Sequence, residues 1–155
     1  LLDAATRLDL VARSIADEPG FVLDDREHRR AGPSYTADTL DEFAAAFPGE
    51  PLVLMMGMDA FNGLPDWHEV ERILKTAHIA VATRPGSEAT GTAADWLAQR
   101  RVEPDDLAGA PAGRIVSVPI TRLDISATAL RALVEQGRSL RYLVPEPVSA
   151  HFASG

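Results

Sequence analysis

The sequence predicts an α/β fold with a mainly parallel sheet, and two observations support this. Short apolar runs of strand length, at 21–23, 52–56 and 79–81, alternate with longer segments whose apolar residues recur at helical spacing. The run at 52–56 is apolar at every position, as in parallel strands that are covered on both faces. Such alternation is typical of right-handed βαβ units.

The first elements are predicted to be a helix, a turn and a strand. Apolar residues at helical spacing indicate a helix within residues 3–17. Pro19 and Gly20 end this helix, and the apolar run at 21–23 forms the strand.

A loop at 31–36 leads to the second helix, which carries Leu40 and Phe43 on its apolar stripe. Thr36 is the predicted N-cap of this helix, because its hydroxyl can accept a backbone hydrogen bond. The helix ends at Pro48, and the strand at 52–56 follows.

The next unit is a helix followed by a strand at 78–83. Asp66 and Glu69 have the spacing of a capping box, which predicts a helix start at Asp66. Val70 and Ile73 then lie on the apolar face of that helix.

The remaining chain has a weaker pattern. One helix is predicted around 93–101, within a segment rich in Pro, Gly and Ala, and the last strand at 115–118. Ser126 caps a helix that ends near Gly137, and a short helix follows Pro145.

Composition narrows the class of protein. The 155 residues are 46% hydrophobic and 25% charged, which predicts one domain over 1–155. The excess of 23 Asp and Glu over 15 Lys and Arg argues against a nucleic-acid partner. The sequence has no cysteine, no bilayer-spanning apolar run and no signal-peptide pattern, so we predict no membrane association and a cytoplasmic location.

Several motifs follow one another in a fixed order and cover nearly the whole chain. They are Arg26-Glu27-His28-Arg29-Arg30-Ala31-Gly32-Pro33-Ser34-Tyr35-Thr36, Asp38-Thr39-Leu40, Gly57-Met58-Asp59, Pro65-Asp66-Trp67, Arg84-Pro85-Gly86, Ile125-Ser126-Ala127-Thr128 with Arg131, and Leu143-Val144-Pro145-Glu146-Pro147-Val148. In this order and spacing the sequence resembles the bacterial nicotinate mononucleotide adenylyltransferases. The resemblance implies a Rossmann-like, three-layer nucleotidyltransferase fold.

The resemblance also implies a reaction. Enzymes of this family join nicotinate mononucleotide to the AMP part of ATP and release pyrophosphate, with Mg²⁺ on the ATP phosphates. Such chemistry depends on positioning and on stabilisation of charge, so it requires no protein nucleophile.

The family is expected to begin with a strand, a Gly-Thr-Phe-Asp-Pro segment and a His-x-Gly-His turn whose histidines hold the ATP phosphates. Neither pattern occurs in the sequence. We therefore expect the sheet of this chain to lack its first β-α unit. The 155 residues alone are expected to fold poorly and to be inactive, because unpaired strand edges and apolar surface would be exposed.

Two segments are implied to bind nicotinate mononucleotide. Ser34, Tyr35 and Thr36 lie over the nicotinate ring in the family, and N–H groups at a helix start suit a carboxylate. Trp67 stacks on the ring, and His68 contributes its backbone N–H. The alternatives are a plain turn with a capping threonine, and a tryptophan that belongs to the core.

The other implied residues bind ATP. Gly57 lets the nucleotide approach the backbone, Asp59 reaches a ribose hydroxyl, and Arg84 lies near the adenine. The alternatives are a helix cap at Asp59 and a solvated turn residue at Arg84.

Ile125, Ser126, Thr128 and Arg131 form the phosphate-binding segment, in which Ser126 and Arg131 stabilise the β- and γ-phosphates. The alternative is an N-cap at Ser126 with a surface ion pair between Arg131 and Glu135, which contributes only a few tenths of a kcal/mol.

Other chemistries and functions remain as alternatives or are disfavoured. His28, His78 and His151 have no metal-ligand spacing with one another or with His68, and no P-loop or Gly-x-Ser-x-Gly motif occurs. A related transferase could use nicotinamide mononucleotide or phosphopantetheine. A non-catalytic module that binds a nucleotide is the alternative from another class.

Overall fold

A computed structural model describes residues 2–121 and 125–153. The chain divides into two compact units, residues 1–31 with 123–155 and residues 32–122. The single domain over 1–155 stays a prediction. In chain order the helices and strands are α1 Ala4–Ser14, α2 Arg26–Arg29, α3 Thr36–Ala46, β1 Leu52–Gly57, α4 Met58–Gly63, α5 Val70–Thr76, β2 Ala77–Thr83, α6 Gly91–Arg100, β3 Ile115–Pro119, α7 Ala127–Glu135 and α8 Glu146–Ala153.

The sheet of the second unit has the order β1-β2-β3, and both pairings are parallel. Helices α4 and α5 connect β1 to β2, and α6 connects β2 to β3. Short 3-10 helices at Leu64–Asp66 and Pro104–Gly109 complete these connections. The predicted α/β fold with a parallel sheet is confirmed.

The core of the second unit lies between the sheet and its helices. Ala77, Ile79 and Val81 project from one face of β2, because successive side chains of a strand alternate between faces. They pack with Phe61 and Leu64, both fully buried, from the connection after β1. This packing fixes the connection that follows the carboxyl end of β1.

The prediction that the strand at 52–56 is covered on both faces is wrong. Leu52, Leu54 and Met56 pack against the core, whereas Val53 is 42% exposed and Met55 is 74% exposed. Successive side chains of a strand alternate between its faces, so Val53 and Met55 lie on the face opposite the core, which is not covered at β1. The apolar run therefore indicated a strand correctly but not its burial.

No strand forms at residues 21–23. A strand requires a neighbour that pairs with its backbone N–H and C=O groups, and none of the described strands pairs with this segment. Phe21 and Val22 are exposed. An apolar tripeptide was too weak a signal to place a strand there.

Two predicted helix caps are also wrong. Helix α3 begins at Thr36, so Tyr35 holds the cap position, without a side-chain cap hydrogen bond. Asp66 ends a 3-10 helix, and α5 begins at Val70 after Glu69, whose φ of 51° is left-handed. A tight turn that inserts Trp67 before the helix replaces the predicted capping box.

The first unit contains α1, α2, α7 and α8. The Asp3 carboxylate caps α1 by accepting a hydrogen bond from the Thr6 N–H at 2.8 Å. Helix α1 packs against α8, and Leu10 and Leu140 are buried. None of the helices in the described residues is both long and apolar enough to span a lipid bilayer.

His78 on β2 is fully buried and hydrogen-bonded at both ring nitrogens. Its Nδ1 accepts from the Arg114 N–H at 3.2 Å, and its Nε2 lies 3.1 Å from the Ala110 carbonyl oxygen. Burial lowers the pKa of His78 and outweighs the hydrogen bond to Ala110, while the Arg114 charge lowers the pKa further. The imidazole is therefore neutral in the folded protein near neutral pH.

Acid should destabilise the fold through His78. The unfolded chain binds a proton near the ordinary pKa of 6.5 and the folded chain only at lower pH, so stability is full above pH 6.5 and falls below it. The expected loss reaches at most about 1.4 kcal/mol per pH unit. Denaturant unfolding of the complete gene product at pH 7.5 and 5.5 measures it.

The matched variants for this prediction are His78→Gln and His151→Gln. The glutamine at 78 can still donate to Ala110 but cannot bind the proton, so its stability should depend less on pH. His151→Gln, which replaces an exposed histidine on α8, is the control for loss of a histidine as such. An equal pH dependence in wild type and His78→Gln would contradict the assignment.

Candidate nucleotide-binding site

One pocket of the second unit brings together all five residues predicted to bind the nicotinate ring. It has a volume of about 210 Å³ and is lined by Ser34, Tyr35, Thr36, Trp67, His68 and Ile73. The Tyr35 and His68 rings lie 4.0 Å apart between centroids and are tilted by 32°. Two chain segments that are thirty residues apart in the sequence thus face each other.

The first wall of the pocket is the start of α3. Tyr35 has extended backbone angles, and Thr36 is the first residue of the helix. The first N–H groups of a helix have no partner within it, and the helix dipole is positive at that end. This wall is therefore suited to an anionic group such as a carboxylate.

The second wall is the turn between the 3-10 helix and α5. Trp67 is half-buried, packs against the core and also lines the pocket, so the core and binding interpretations are compatible. The Trp67 backbone N–H donates to the Leu64 carbonyl at 3.0 Å. Ile73, fully buried on α5, supplies an apolar surface. An aromatic ring with a charged substituent would fit such a mixture of surfaces.

An ion-pair cluster lies beside this pocket. Arg72 on α5 pairs with Asp38 and Asp41 on α3 and with Glu69 in the turn. The Glu69 carboxylate also lies 3.2 Å from His68 Nε2. Desolvation lowers the pKa of Arg72, but the hydrogen bond to Asp38 and the three carboxylate charges raise it overall. The guanidinium is therefore permanently charged.

Gly57, Asp59 and Arg84 lie at the carboxyl edge of the sheet. Gly57 ends β1 and pairs in register with Ala82, and Arg84 follows the end of β2. Asp59 is in the first turn of α4 and exposed, with no side-chain cap hydrogen bond for that helix. Ligands of open α/β sheets bind at this edge.

The backbone at Gly57 does not itself require glycine. Its φ is −78°, and a Cβ atom added there would meet nothing within 4 Å. The space beside Gly57 at this strand end is therefore open.

The loop that carries Arg84 is held by hydrogen bonds. The Ser87 hydroxyl accepts from the Arg84 N–H at 2.9 Å and donates to the Arg84 carbonyl at 2.7 Å. The Asn62 amide donates to Glu88 O and accepts from Thr90 N. Within the described ranges the Arg84 guanidinium pairs with no carboxylate. It is thus available to a ligand.

The predicted phosphate-binding segment lies in the first unit, where Ile125 is half-buried. Ser126 caps α7, as predicted, by accepting from the Ala129 N–H at 3.1 Å. The Arg131 guanidinium donates to the Thr128 hydroxyl at 3.4 Å, so it is directed toward the helix start. Across residues 2–121 and 125–153 no ion pair joins Arg131 to Glu135, which disfavours the surface-pair alternative.

Sequence reasoning missed four contributors to these sites. Ile73 was assigned only to an apolar stripe, and Arg72, Asn62 and Ser87 carried no motif. The roles of Ile73, Arg72 and Asn62 depend on contacts between separate segments, for which one sequence gives no signal, whereas Ser87 acts within its own loop. No group of three or more His, Cys, Asp and Glu residues in the described part of the chain could hold a metal ion.

Comparison with known proteins gives relatives but no matching family model. The chain is 45% identical over 147 residues to a probable nicotinate-nucleotide adenylyltransferase of Halorhodospira halophila. These residues make up 92% of this chain and 66% of that protein. The chain is 43% identical over 149 residues to the protein of the same name from Marinobacter nauticus, which covers 94% and 69%. The chain thus spans about two thirds of the length of these relatives.

Solved structures with a similar fold come from Plasmodium falciparum. The chain matches its nicotinic acid mononucleotide adenylyltransferase complexed with NaAD, with a TM-score of 0.63 and 15% identity over 98% of this chain and 72% of that one. The same enzyme complexed with APC matches with a TM-score of 0.62. At this identity the likeness shows the fold alone.

Proposed function

The chain belongs to the nicotinate-nucleotide adenylyltransferase family, and on that premise we propose that the protein transfers the adenylyl group of ATP to nicotinate mononucleotide. A phosphate oxygen of the mononucleotide attacks the α-phosphorus of ATP in line. The bond between the α-phosphorus and the bridging oxygen breaks, and pyrophosphate leaves. The products are nicotinate adenine dinucleotide, a precursor of NAD, and pyrophosphate.

The observation that carries this proposal is the pocket lined by Ser34, Tyr35, Thr36, Trp67 and His68. It joins aromatic surface to the positive end of a helix, which suits a planar ring with a carboxylate. The Trp67 indole stacks on the pyridine ring, and the carboxylate accepts hydrogen bonds from backbone N–H groups near Thr36 and His68.

The ATP half of the reaction is proposed to use the other predicted residues. Gly57 leaves room for the nucleotide, Asp59 accepts a hydrogen bond from a ribose hydroxyl, and Arg84 lies against the adenine.

At α7, the N–H groups near Ser126 and Thr128 and the Arg131 guanidinium bind the departing phosphates. Ile125 belongs to the same segment. Mg²⁺ enters with ATP and spreads the charge that develops on the phosphates.

The cytoplasmic location stays a prediction.

Two alternatives differ in the outcome of one assay. A transferase for nicotinamide mononucleotide or phosphopantetheine would form another adenylylated product, and a nucleotide-binding module would form none. The test is to incubate the complete gene product with ATP, Mg²⁺ and each acceptor, and to identify the product with the pyrophosphate released. Nucleotide binding without pyrophosphate release would refute the proposed activity.

A further inference from the structure

One side chain, that of Arg72, joins the two walls of the pocket that contains Tyr35 and Trp67, although Arg72 does not line this pocket. One wall, Ser34 to Thr36, leads directly into α3, and the other, Trp67 and His68, precedes α5. Arg72 extends from α5 to α3, where its Nη2 pairs with Asp38 and its Nε lies 3.2 Å from Asp41 Oδ2. Its Nη1 lies 2.7 Å from Glu69 Oε2, next to His68 in the chain.

The turn that Arg72 holds is conformationally costly. Glu69 has a φ of 51°, a left-handed conformation that is sterically unfavourable for a residue with a Cβ atom. Its carboxylate contacts both His68 Nε2 and Arg72 Nη1, and the His68 ring in turn lies against Tyr35. A chain of contacts therefore runs from Arg72 through Glu69 and His68 to the opposite wall.

We propose that Arg72 is a positioning residue, which fixes the distance between the two walls and offsets the negative charge of Glu69 beside a pocket for a carboxylate. The inference rests on the proposed function, since it concerns the pocket proposed to bind the nicotinate ring. Without Arg72, Asp38, Asp41 and Glu69 would leave three uncompensated carboxylates near the bound anion. Such like charges disfavour the acid and have little effect on the neutral amide.

The test is Arg72→Met in the complete gene product, which keeps much of the side-chain volume and removes the charge. Affinity for nicotinate mononucleotide, measured by calorimetry, should fall roughly tenfold, between the effect of an exposed ion pair and that of a displaced binding wall. The amide should lose less, and KM for ATP should remain unchanged. A structural role alone would not alter the ratio of acid to amide.

Two further variants sharpen the experiment. Adding Glu69→Gln to Arg72→Met removes the carboxylate that contacts His68 and returns the cluster to its wild-type net charge, so it should restore most of the ratio. Arg72→Lys retains a point charge without the planar fork and should be intermediate. It keeps the test decisive if Arg72→Met fails to fold by circular dichroism. Arg13→Met is the control, because it removes an exposed ion pair with Asp9, at 3.6 Å on α1. It should change the affinity for neither mononucleotide.

The outcomes separate this inference from the proposed function. If the wild type does not bind nicotinate mononucleotide, the proposed function fails. If the wild type binds it and folded Arg72→Met or Arg72→Lys shows the wild-type affinity and ratio, the positioning role is overturned. A lower affinity with a changed ratio, restored by Glu69→Gln, establishes it.

Discussion

Arg131→Ala is expected to lower kcat about 100-fold or more, with little change in KM for nicotinate mononucleotide. The guanidinium is already directed to the start of α7 by its hydrogen bond to Thr128. There it would stabilise charge that grows on the departing pyrophosphate, and removal of one such donor costs roughly 100- to 1,000-fold in turnover. Steady-state kinetics of the complete gene product, with each substrate varied, measure both parameters.

Glu135→Ala is the matched control for Arg131→Ala. It removes the other member of the surface pair that the sequence also allowed, on the same helix. We expect wild-type kinetics and a similar melting temperature, because the two side chains do not pair in the described residues. Unchanged kcat in Arg131→Ala would contradict the proposed phosphate contact.

Trp67→Ala is expected to raise the Kd for nicotinate mononucleotide and for its amide by similar factors, between about 5- and 150-fold. The range follows from base–aromatic stacking, worth about 1–3 kcal/mol for each stacked ring. Both substrates carry the same pyridine ring, so the ratio of their affinities should remain nearly constant. Calorimetric titration with each mononucleotide measures this.

Trp67 also packs against the core, so the variant should unfold at lower temperature. Trp96→Ala separates the two effects, because Trp96 packs against the same core but does not line the pocket. It should lose stability and retain affinity. Wild-type affinity in Trp67→Ala, with the same loss of stability, would assign Trp67 to the core alone.

The sequence predicted those parts of the fold that depend on local periodicity. Strands β2 and β3 and helix α6 were placed within a few residues, because the apolar spacing within each segment was enough to indicate its type. Residues 21–23 and the exposed face of β1 were mispredicted, because pairing and burial depend on which neighbours the chain acquires. The predicted capping box was also wrong, because Glu69 has a left-handed conformation and α5 begins only at Val70.

The candidate site was predicted through motifs rather than through periodicity. The pocket unites the Ser34–Thr36 loop with Trp67 and His68 in agreement with the resemblance. The Arg72 cluster could not be predicted, because Asp38, Asp41 and Glu69 come together only when α3 packs on α5. The roles of the individual residues stay predictions that the proposed variants test.

The most direct test of the account compares kcat/KM for nicotinate mononucleotide and nicotinamide mononucleotide in the complete wild-type gene product. A carboxylate can accept from the N–H groups of both walls, whereas an amide turns its NH₂ toward one of these donors. A buried donor left unpaired costs about 1–3 kcal/mol, so the acid should be preferred by a factor of roughly 5 to 150. Equal use of the two mononucleotides, or preference for the amide, would contradict the nicotinate assignment.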